Sequence, residues 1–149
     1  MNRPRYQANR PQRDRKPCPT LPDLTSGNLS QLLDNHPREL SDCLEQEVTA
    51  SQVRRFYGQF TEIYRSCEEI GQLDDGVSTD LLMLKARINY TEQRARTASI
   101  RFDRNFARYL TGLIDKVLGD NKDQGVERFK LAKLNFEAFV GYYQGRGAK

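Results

Sequence analysis

Five arginines, Arg94, Arg96, Arg101, Arg104 and Arg108, fall within fifteen residues, and Asp103 is the one acidic residue among them. A guanidinium presents its donors as a planar fork that matches phosphate oxygens, so such a run can follow a polyanion backbone. Arg101, Arg104 and Arg108 are spaced i, i+3 and i+7 and share one face of a helix, while Arg94 and Arg96 end the helix before it. The same pattern also suits a solvated helix face, and the sequence leaves both readings open. Arg54 and Arg55 follow a capped helix start, where free amides and the helix dipole favour an anion; the plain alternative is a stripe flank making surface salt bridges. Lys85 and Arg87, and further on Lys130 and Lys133, add weaker signals of the same kind. Tyr142 and Tyr143 have rings able to stack on bases, although aromatic residues at a helix end more often enter a core or a subunit contact.

Catalytic chemistry has little to work with. General acid–base catalysis near neutral pH favours histidine, a carboxylate pair in a pocket, or an activated nucleophile. The one histidine, His36, precedes Pro37 at an expected helix start, which suggests a capping or solvent-exposed role. Glu45 with Glu47, Glu68 with Glu69, and Asp74 with Asp75 are pairs in sequence only, since such close positions on a helix do not face each other. No Gly-rich phosphate loop is present. Cys18, Cys43 and Cys67 lie far apart with no CxxC pair, so they read as reduced thiols rather than metal ligands, with Cys67 a small core residue on an apolar face. The expectation is a protein that is not an enzyme and needs no cofactor or metal.

These residues must be positioned by one domain, since 149 residues suffice to bury a core unaided. The longest apolar runs, such as Leu81 to Leu84, fall far short of the roughly 20 residues that span a bilayer. The N-terminus lacks an apolar signal region, so the expected location is cytoplasmic, without a membrane. The net charge of +4 is concentrated: Arg3, Arg5, Arg10, Arg13, Arg15 and Lys16 against Asp14 and Asp23 give the first 28 residues all of it. That stretch also holds Pro4, Pro11, Pro17, Pro19 and Pro22, and residues 1–28 read as a flexible basic arm that cannot recover its ordering entropy by burial. Residues 29–149, neutral overall, read as an all-α compact bundle of about five helices.

The first helix is expected near Asn35 to Pro37, carrying Leu40, Cys43, Leu44 and Val48. Thr49 and Gln52 have capping-box spacing at the start of the second, whose Val53, Phe56, Tyr57, Phe60, Ile63, Tyr64, Cys67 and Ile70 make one apolar stripe. A third helix runs from Ser78 or Thr79 to Arg96, and its wide apolar arc of Leu81, Leu82, Leu84, Ile88 and Tyr90 predicts a central position. The fourth, from Ile100 to Leu118, aligns Phe102, Phe106, Leu110, Leu113, Ile114 and Val117. The fifth, from Gln124 to Gln144, aligns Phe129, Ala132, Phe136, Phe139, Val140 and Tyr143.

Three segments together resemble the small subunit of type III-A CRISPR effector complexes, the Csm complexes. They are Thr49 to Tyr57, with its Ser-Gln-Val-Arg-Arg-Phe-Tyr run; Leu84 to Tyr90, Leu-Lys-Ala-Arg-Ile-Asn-Tyr, followed by Arg94; and Phe136 to Tyr143. Order and spacing agree with that family over roughly residues 48–144, while residues 1–28 depart from it. The resemblance implies a helical, non-catalytic subunit that touches the RNA backbone along the crRNA guide and its target RNA. It also implies contacts with other subunits of the Csm complex and with neighbouring copies of itself. Guide pairing would supply sequence specificity, leaving phosphate contacts and shape to the small subunit. The backbone contacts expected on this basis are Arg54, Arg55, Lys85, Arg87, Arg94, Arg96, Arg101, Arg104 and Arg108. The competing reading is a helical DNA-binding or regulatory protein that uses the same arginines, although no helix-turn-helix spacing is evident.

Overall fold

The computed structural model describes residues 17–44, 48–98, 100–119 and 122–145. Among these residues the regular structure is helical, with five α-helices: α1 (His36–Leu44), α2 (Ala50–Ile70), α3 (Asp75–Ala98), α4 (Arg104–Leu118) and α5 (Gly125–Gly145). The all-α bundle read from the sequence is the observed fold.

A π-helical turn, Gln31–Asn35, leads directly into α1. In this register the His36 N–H bonds back to the Gln31 carbonyl, five residues away. The next such bond would run from residue 37 to Leu32, but Pro37 has no N–H to give. The Leu32 carbonyl instead accepts the side-chain amide of Asn135 at 2.6 Å, and Asn135, with no exposed surface, lies in the middle of α5. Its other amide hydrogen reaches His36 Nδ1 at 3.1 Å, and its oxygen accepts from the Tyr109 hydroxyl of α4 at 2.6 Å. With the amide supplying both hydrogens, His36 Nδ1 is an acceptor, so the ring is neutral with its proton on Nε2. Burial holds the His36 pKa down to about 4.

α2 starts at the capping box read from the sequence, with Thr49 Oγ1 accepting from Gln52 N–H at 3.1 Å and Gln52 Oε1 from Thr49 N–H at 3.2 Å. It stops at Gly71, whose φ of 88° is the left-handed conformation that glycine adopts most readily. Along its stripe Val53, Phe56, Phe60 and Cys67 are buried, Tyr57, Ile63 and Tyr64 partly so, and Ile70 is exposed. α5 is the central element, touching α1, α2 and α4. Its Phe129 and Phe136 rings meet Phe60 at centroid distances of 5.1 and 5.8 Å, and Phe139 meets Phe106 at 5.8 Å. At its C-terminal end Tyr143 is buried; its hydroxyl donates to the Val48 carbonyl at 2.6 Å and accepts the Val48 N–H at 3.2 Å. At its N-terminal end a Cβ on Gly125 would lie 2.6 Å from Leu73 Cβ, so glycine there permits a close approach.

Several expectations are corrected. α3 is not central: it packs against α2 and α4 and buries Val77, Leu81, Leu84, Ile88 and Ala95. The rest of its wide apolar arc, Leu82 and Tyr90, is more than half exposed, at 51% and 62%, as is Met83 beside them at 54%. α3 also starts before Ser78, because the Asp74 side chain accepts from Val77 N–H at 2.9 Å. α4 begins at Arg104, after the Asp103 N-cap, so Phe102 and Arg101 lie in the preceding loop. His36 is not solvent-exposed: it closes the π turn as its C-cap and, as the first residue of α1, is carried into the core. Lastly, Cys18 and Cys43 are not free thiols but a disulfide, with Cα atoms 5.2 Å apart; Cys67 is the free, buried cysteine. The pairing depends on residues 17–24 folding back onto α1, which brings Leu24 into the core and Leu21 against it. Of the stretch expected as an arm, residues 1–16 lie outside the described residues.

The core can be probed by mutation and by acid. Phe60→Ala, at a site 1% exposed, should cost about 3–5 kcal/mol in denaturant melts, the range for a large buried aromatic; a drop below about 1 kcal/mol would show that the site collapses or is not core. In acid, the folded state holds the His36 pKa at about 4, below the usual 6.5, so between these values the unfolded chain binds more protons. That contribution is complete above about pH 6.5 and disappears as the pH falls toward 4; it amounts to on the order of 3 kcal/mol. Melts of the wild type and of His36→Gln across this window should therefore differ in slope.

Candidate nucleic-acid interface

α3 and α4 lie side by side, and the charged residues of the arginine run meet along the groove between them. Asn89, Glu92 and Arg96 line it from α3, and Arg104, Arg108 and Thr111 from α4, over a floor of Ile88 and Ala107; the cavity measures about 280 Å³. The α3 side follows from spacing, since Lys85, Asn89, Glu92 and Arg96 recur at i, i+4, i+7 and i+11 and so share a face. The α4 side follows from Phe106 and Tyr109 being buried, which leaves Arg104 and Arg108, one turn apart, exposed on the flank.

Glu92 organises the groove. Its side chain is only 12% exposed, and its Oε2 lies 2.7 Å from Arg96 Nη2 and 3.9 Å from Arg104 Nε. One carboxylate thus holds a guanidinium group from each side of the seam and offsets one of their two charges. Arg108 has no ion pair or side-chain hydrogen bond among the described residues, and neither has Arg101, exposed in the loop before α4. Lys85 is engaged elsewhere on the seam: its Nζ lies 2.7 Å from Asp115 Oδ1 of α4. An ion pair this exposed adds at most about 1 kcal/mol, but it occupies the lysine.

The other expected contacts lie apart from this groove. Arg87 and Arg94, seven residues apart, share the outer side of α3 with Tyr90; Arg94 Nη1 lies 3.4 Å from the Tyr90 hydroxyl and its guanidinium 6.0 Å from the ring centre. Arg54 donates to Gln144 Oε1 at 3.2 Å and Arg55 lies over the Phe56 ring at 5.0 Å, at the start of α2 beside the end of α5. The structure therefore brings Arg96, Arg104 and Arg108 together, leaves Arg101 off their helical face, and places Arg54, Arg55, Arg87 and Arg94 in two further groups. Tyr142 donates to Asp34 Oδ1 at 2.8 Å, and Lys133 pairs with Glu137 at 3.1 Å.

Glu92 was not among the residues read from the sequence, although its place four residues before Arg96 is the spacing of a helical ion pair. Arg128 is a second such residue: from α5 it donates to the Val117 and Leu118 carbonyls at 3.1 and 3.3 Å, satisfying the open end of α4. Among the described residues no group of three or more His, Cys, Asp or Glu is placed to hold a metal ion, and no helix is long and apolar enough to cross a membrane.

A helical bundle with a cationic groove along one helix pair fits the small-subunit class that the three sequence segments resemble. The family model described as Csm2 Type III-A matches residues 28–148, and the chain belongs to that family. It is thus a subunit of a type III-A CRISPR complex, associated with other Csm subunits. Neither the curated proteins nor the solved structures contain a match to it. The three segments are mainly architectural, for Val53, Phe56, Leu84, Ile88, Phe136, Phe139 and Tyr143 are all buried.

Because Glu92 offsets charge in the groove, Glu92→Gln should strengthen binding to a polyanion. Elution from a heparin column is expected at higher salt than for the wild type, with stability changed by less than about 1 kcal/mol. Earlier elution would show that Glu92 matters more for holding the two arginines in place than for the charge it cancels.

Proposed function

We propose that the protein is a non-catalytic RNA-binding structural subunit that holds the backbone of the guide and target RNA in its complex. The observation that carries this reading is the α3/α4 groove, where Arg96 and Arg104 meet at one largely buried carboxylate and Arg108, beside them, has no ion pair among the described residues. Guanidinium forks at the spacing of one helical turn suit successive phosphates and read no base edge. Arg101 extends this row, and Arg87 with Arg94 offers a second contact line on the outer side of α3; Arg54, Arg55 and Lys85, each already held by a neighbour within the chain, contribute less. The protein acts in the cytoplasm, where guide RNA and complex assemble.

Contacts with other subunits and with neighbouring copies fall on the exposed apolar residues. Leu82, Met83 and Tyr90 on α3, flanked by Arg87 and Arg94, make an apolar surface with a basic edge. Ile70, 50% exposed beside Glu68 and Glu69 at the end of α2, makes a smaller apolar surface with an acidic edge. The two are complementary in charge, which favours a head-to-tail relation between copies.

The test is RNA affinity across a salt series. Removing one arginine that neutralises a phosphate reduces the slope of log K against log salt by about 0.7 on single strands and about 0.9 on a duplex. Arg104→Ala combined with Arg108→Ala should therefore flatten the slope by roughly 1.4 to 1.8, equally for unrelated RNA sequences, in a protein whose melt confirms that it is folded. An unchanged slope would make the groove a solvated face, and a change confined to particular sequences would favour base reading. The chain alone should leave single-stranded RNA uncut with or without Mg²⁺; cleavage abolished by changing one of its own carboxylates would overturn the non-catalytic part.

A further inference from the structure

A second cavity, of about 300 Å³, lies between α1, α4 and the segment that Cys18 anchors to α1 through Cys43. Arg108 is its one charged residue, and no carboxylate among the described residues lines it. His36 of α1 and Asn105 of α4 supply neutral polar groups, and Leu21, Leu40 and the Tyr109 ring supply apolar wall.

His36 gives the cavity a donor that the fold itself does not use. Its Nδ1 accepts from Asn135, which leaves the proton on Nε2, and that proton finds no acceptor among the described residues. The residue is 3% exposed. Among the described residues the one side-chain polar atom sealed from solvent without a partner is Gln59 Oε1, so the His36 Nε2–H opens on the cavity that its ring lines. Burial holds the His36 pKa at about 4, so at neutral pH the group is a donor without charge. On the α4 side Gly112 follows Arg108 by one turn. Glycine weakens a helix interior relative to alanine, yet a Cβ at Gly112 would meet nothing within 4 Å; the room it leaves belongs to the cavity.

Arg108 borders both this cavity and the α3/α4 groove, so a phosphate held by its guanidinium stands at the mouth of each. What a phosphate carries in a nucleotide is a sugar and a base, with flat apolar faces and an edge of neutral donors and acceptors. The cavity is complementary to that mixture: apolar walls, one N–H from His36, and at Asn105 an amide that both donates and accepts. A second anionic group has no counterpart there, because the polar groups beyond Arg108 are neutral. The volume lies at the lower end of the range for ligand pockets, about 300–1,000 Å³, which suits one nucleotide and nothing larger.

We propose that this cavity is a single-nucleotide subsite, in which Arg108 holds the phosphate and an unpaired base enters beside Leu21, Leu40 and Tyr109 to accept the His36 Nε2–H. The nucleotide has two sources, an RNA strand lying in the α3/α4 groove, which rests on the RNA-binding reading above, or a free mononucleotide. Every base has a ring nitrogen or carbonyl oxygen able to accept one hydrogen bond, so the subsite takes a base without selecting a sequence. A base stacked and paired within a duplex is out of its reach.

The experiment follows the imidazole of the full, ¹⁵N-labelled chain by NMR, where a single histidine gives a single set of signals. The probes are UMP, inorganic phosphate, an oligouridylate and a fully paired RNA duplex. UMP should move the Nε2 signal and saturate, while inorganic phosphate at the same concentration leaves it in place. If the strand is the source, the oligouridylate produces the same shift at a concentration at least about tenfold lower, because groove and cavity are engaged together; if free mononucleotide is the source, UMP needs no more than the oligouridylate. Gly112→Leu, which fills the cavity, should abolish the shift and weaken the stronger of the two ligands by at least about fivefold, the low end of what one held base contributes. Gly112→Ala should keep the shift, and duplex affinity should not change in either variant.

An imidazole that neither UMP nor the oligouridylate moves would make the cavity a recess for water, and an equal shift with inorganic phosphate would make it an anion site without a base. Both results come from the unaltered chain and overturn the subsite whether or not the variants fold. An equal loss of duplex affinity in Gly112→Leu would overturn it as well. Arg104→Ala, in the groove and outside the cavity, separates the two ideas. If it weakens RNA binding while no nucleotide moves His36, the subsite alone fails; if it leaves RNA binding unchanged while UMP still moves His36, the groove reading fails and the subsite stands as a site for free mononucleotide.

Discussion

One missing hydrogen organises the interior of this protein. Pro37 has no N–H, so the π-helical turn before α1 ends with the Leu32 carbonyl unanswered, and an unpaired carbonyl in a core costs about 1–3 kcal/mol. Asn135 answers it from α5, and doing so commits the rest of its amide: one hydrogen to His36, the oxygen to Tyr109. A single buried side chain thereby fixes the approach of α1, α4 and the turn to the central helix. An apolar residue at 135 would pack, but it would leave Leu32, Tyr109 and His36 each short of a partner. The polar junction gives the aromatic core around it one register.

The groove inherits this arrangement. With Tyr109 turned inward to Asn135, α4 must present Arg104 and Arg108 on its flank, and Arg128 of α5 closes the far end of the same helix. On the facing helix Glu92 is largely buried in the seam and draws Arg96 and Arg104 toward a common oxygen. Because the body beyond residue 28 carries equal numbers of acidic and basic side chains, the proposed polyanion surface depends on where opposite charges are neutralised. Lys85 and Asp115 cancel at one point of the α3/α4 seam, while Arg108 keeps its charge at another.

The sequence disclosed what depends on local periodicity. The α2 capping box, the helical stripe from Val53 to Cys67 and the aromatic spacing of α5 are patterns within a dozen or so neighbours, and each appears where read. The arginine run was legible as composition, but its grouping was not, since Arg101 left the helix when Asp103 took the cap and Glu92 entered from another helix. Long-range contacts were hidden altogether. Cys18 and Cys43 are 25 residues apart, and Asn135 meets His36 across 99; no spacing rule links such positions. The breadth of the α3 apolar arc was read correctly and assigned wrongly, because a helix with apolar residues around much of its circumference either is central or shows part of them to the outside.

That exposed circumference bears on the proposed RNA surface. α3 packs on α2 and α4 alone among the principal helix contacts, with Leu82, Met83 and Tyr90 in water, whereas α4 is locked to the polar junction and capped by Arg128. The groove therefore runs along the seam between a helix tied to the polar junction and one that shows part of its apolar surface to the outside. On the proposed RNA-binding reading, a strand bridging the two sides would tie α3 to α4 across the seam and leave the apolar outer side of α3 open to neighbours in the complex.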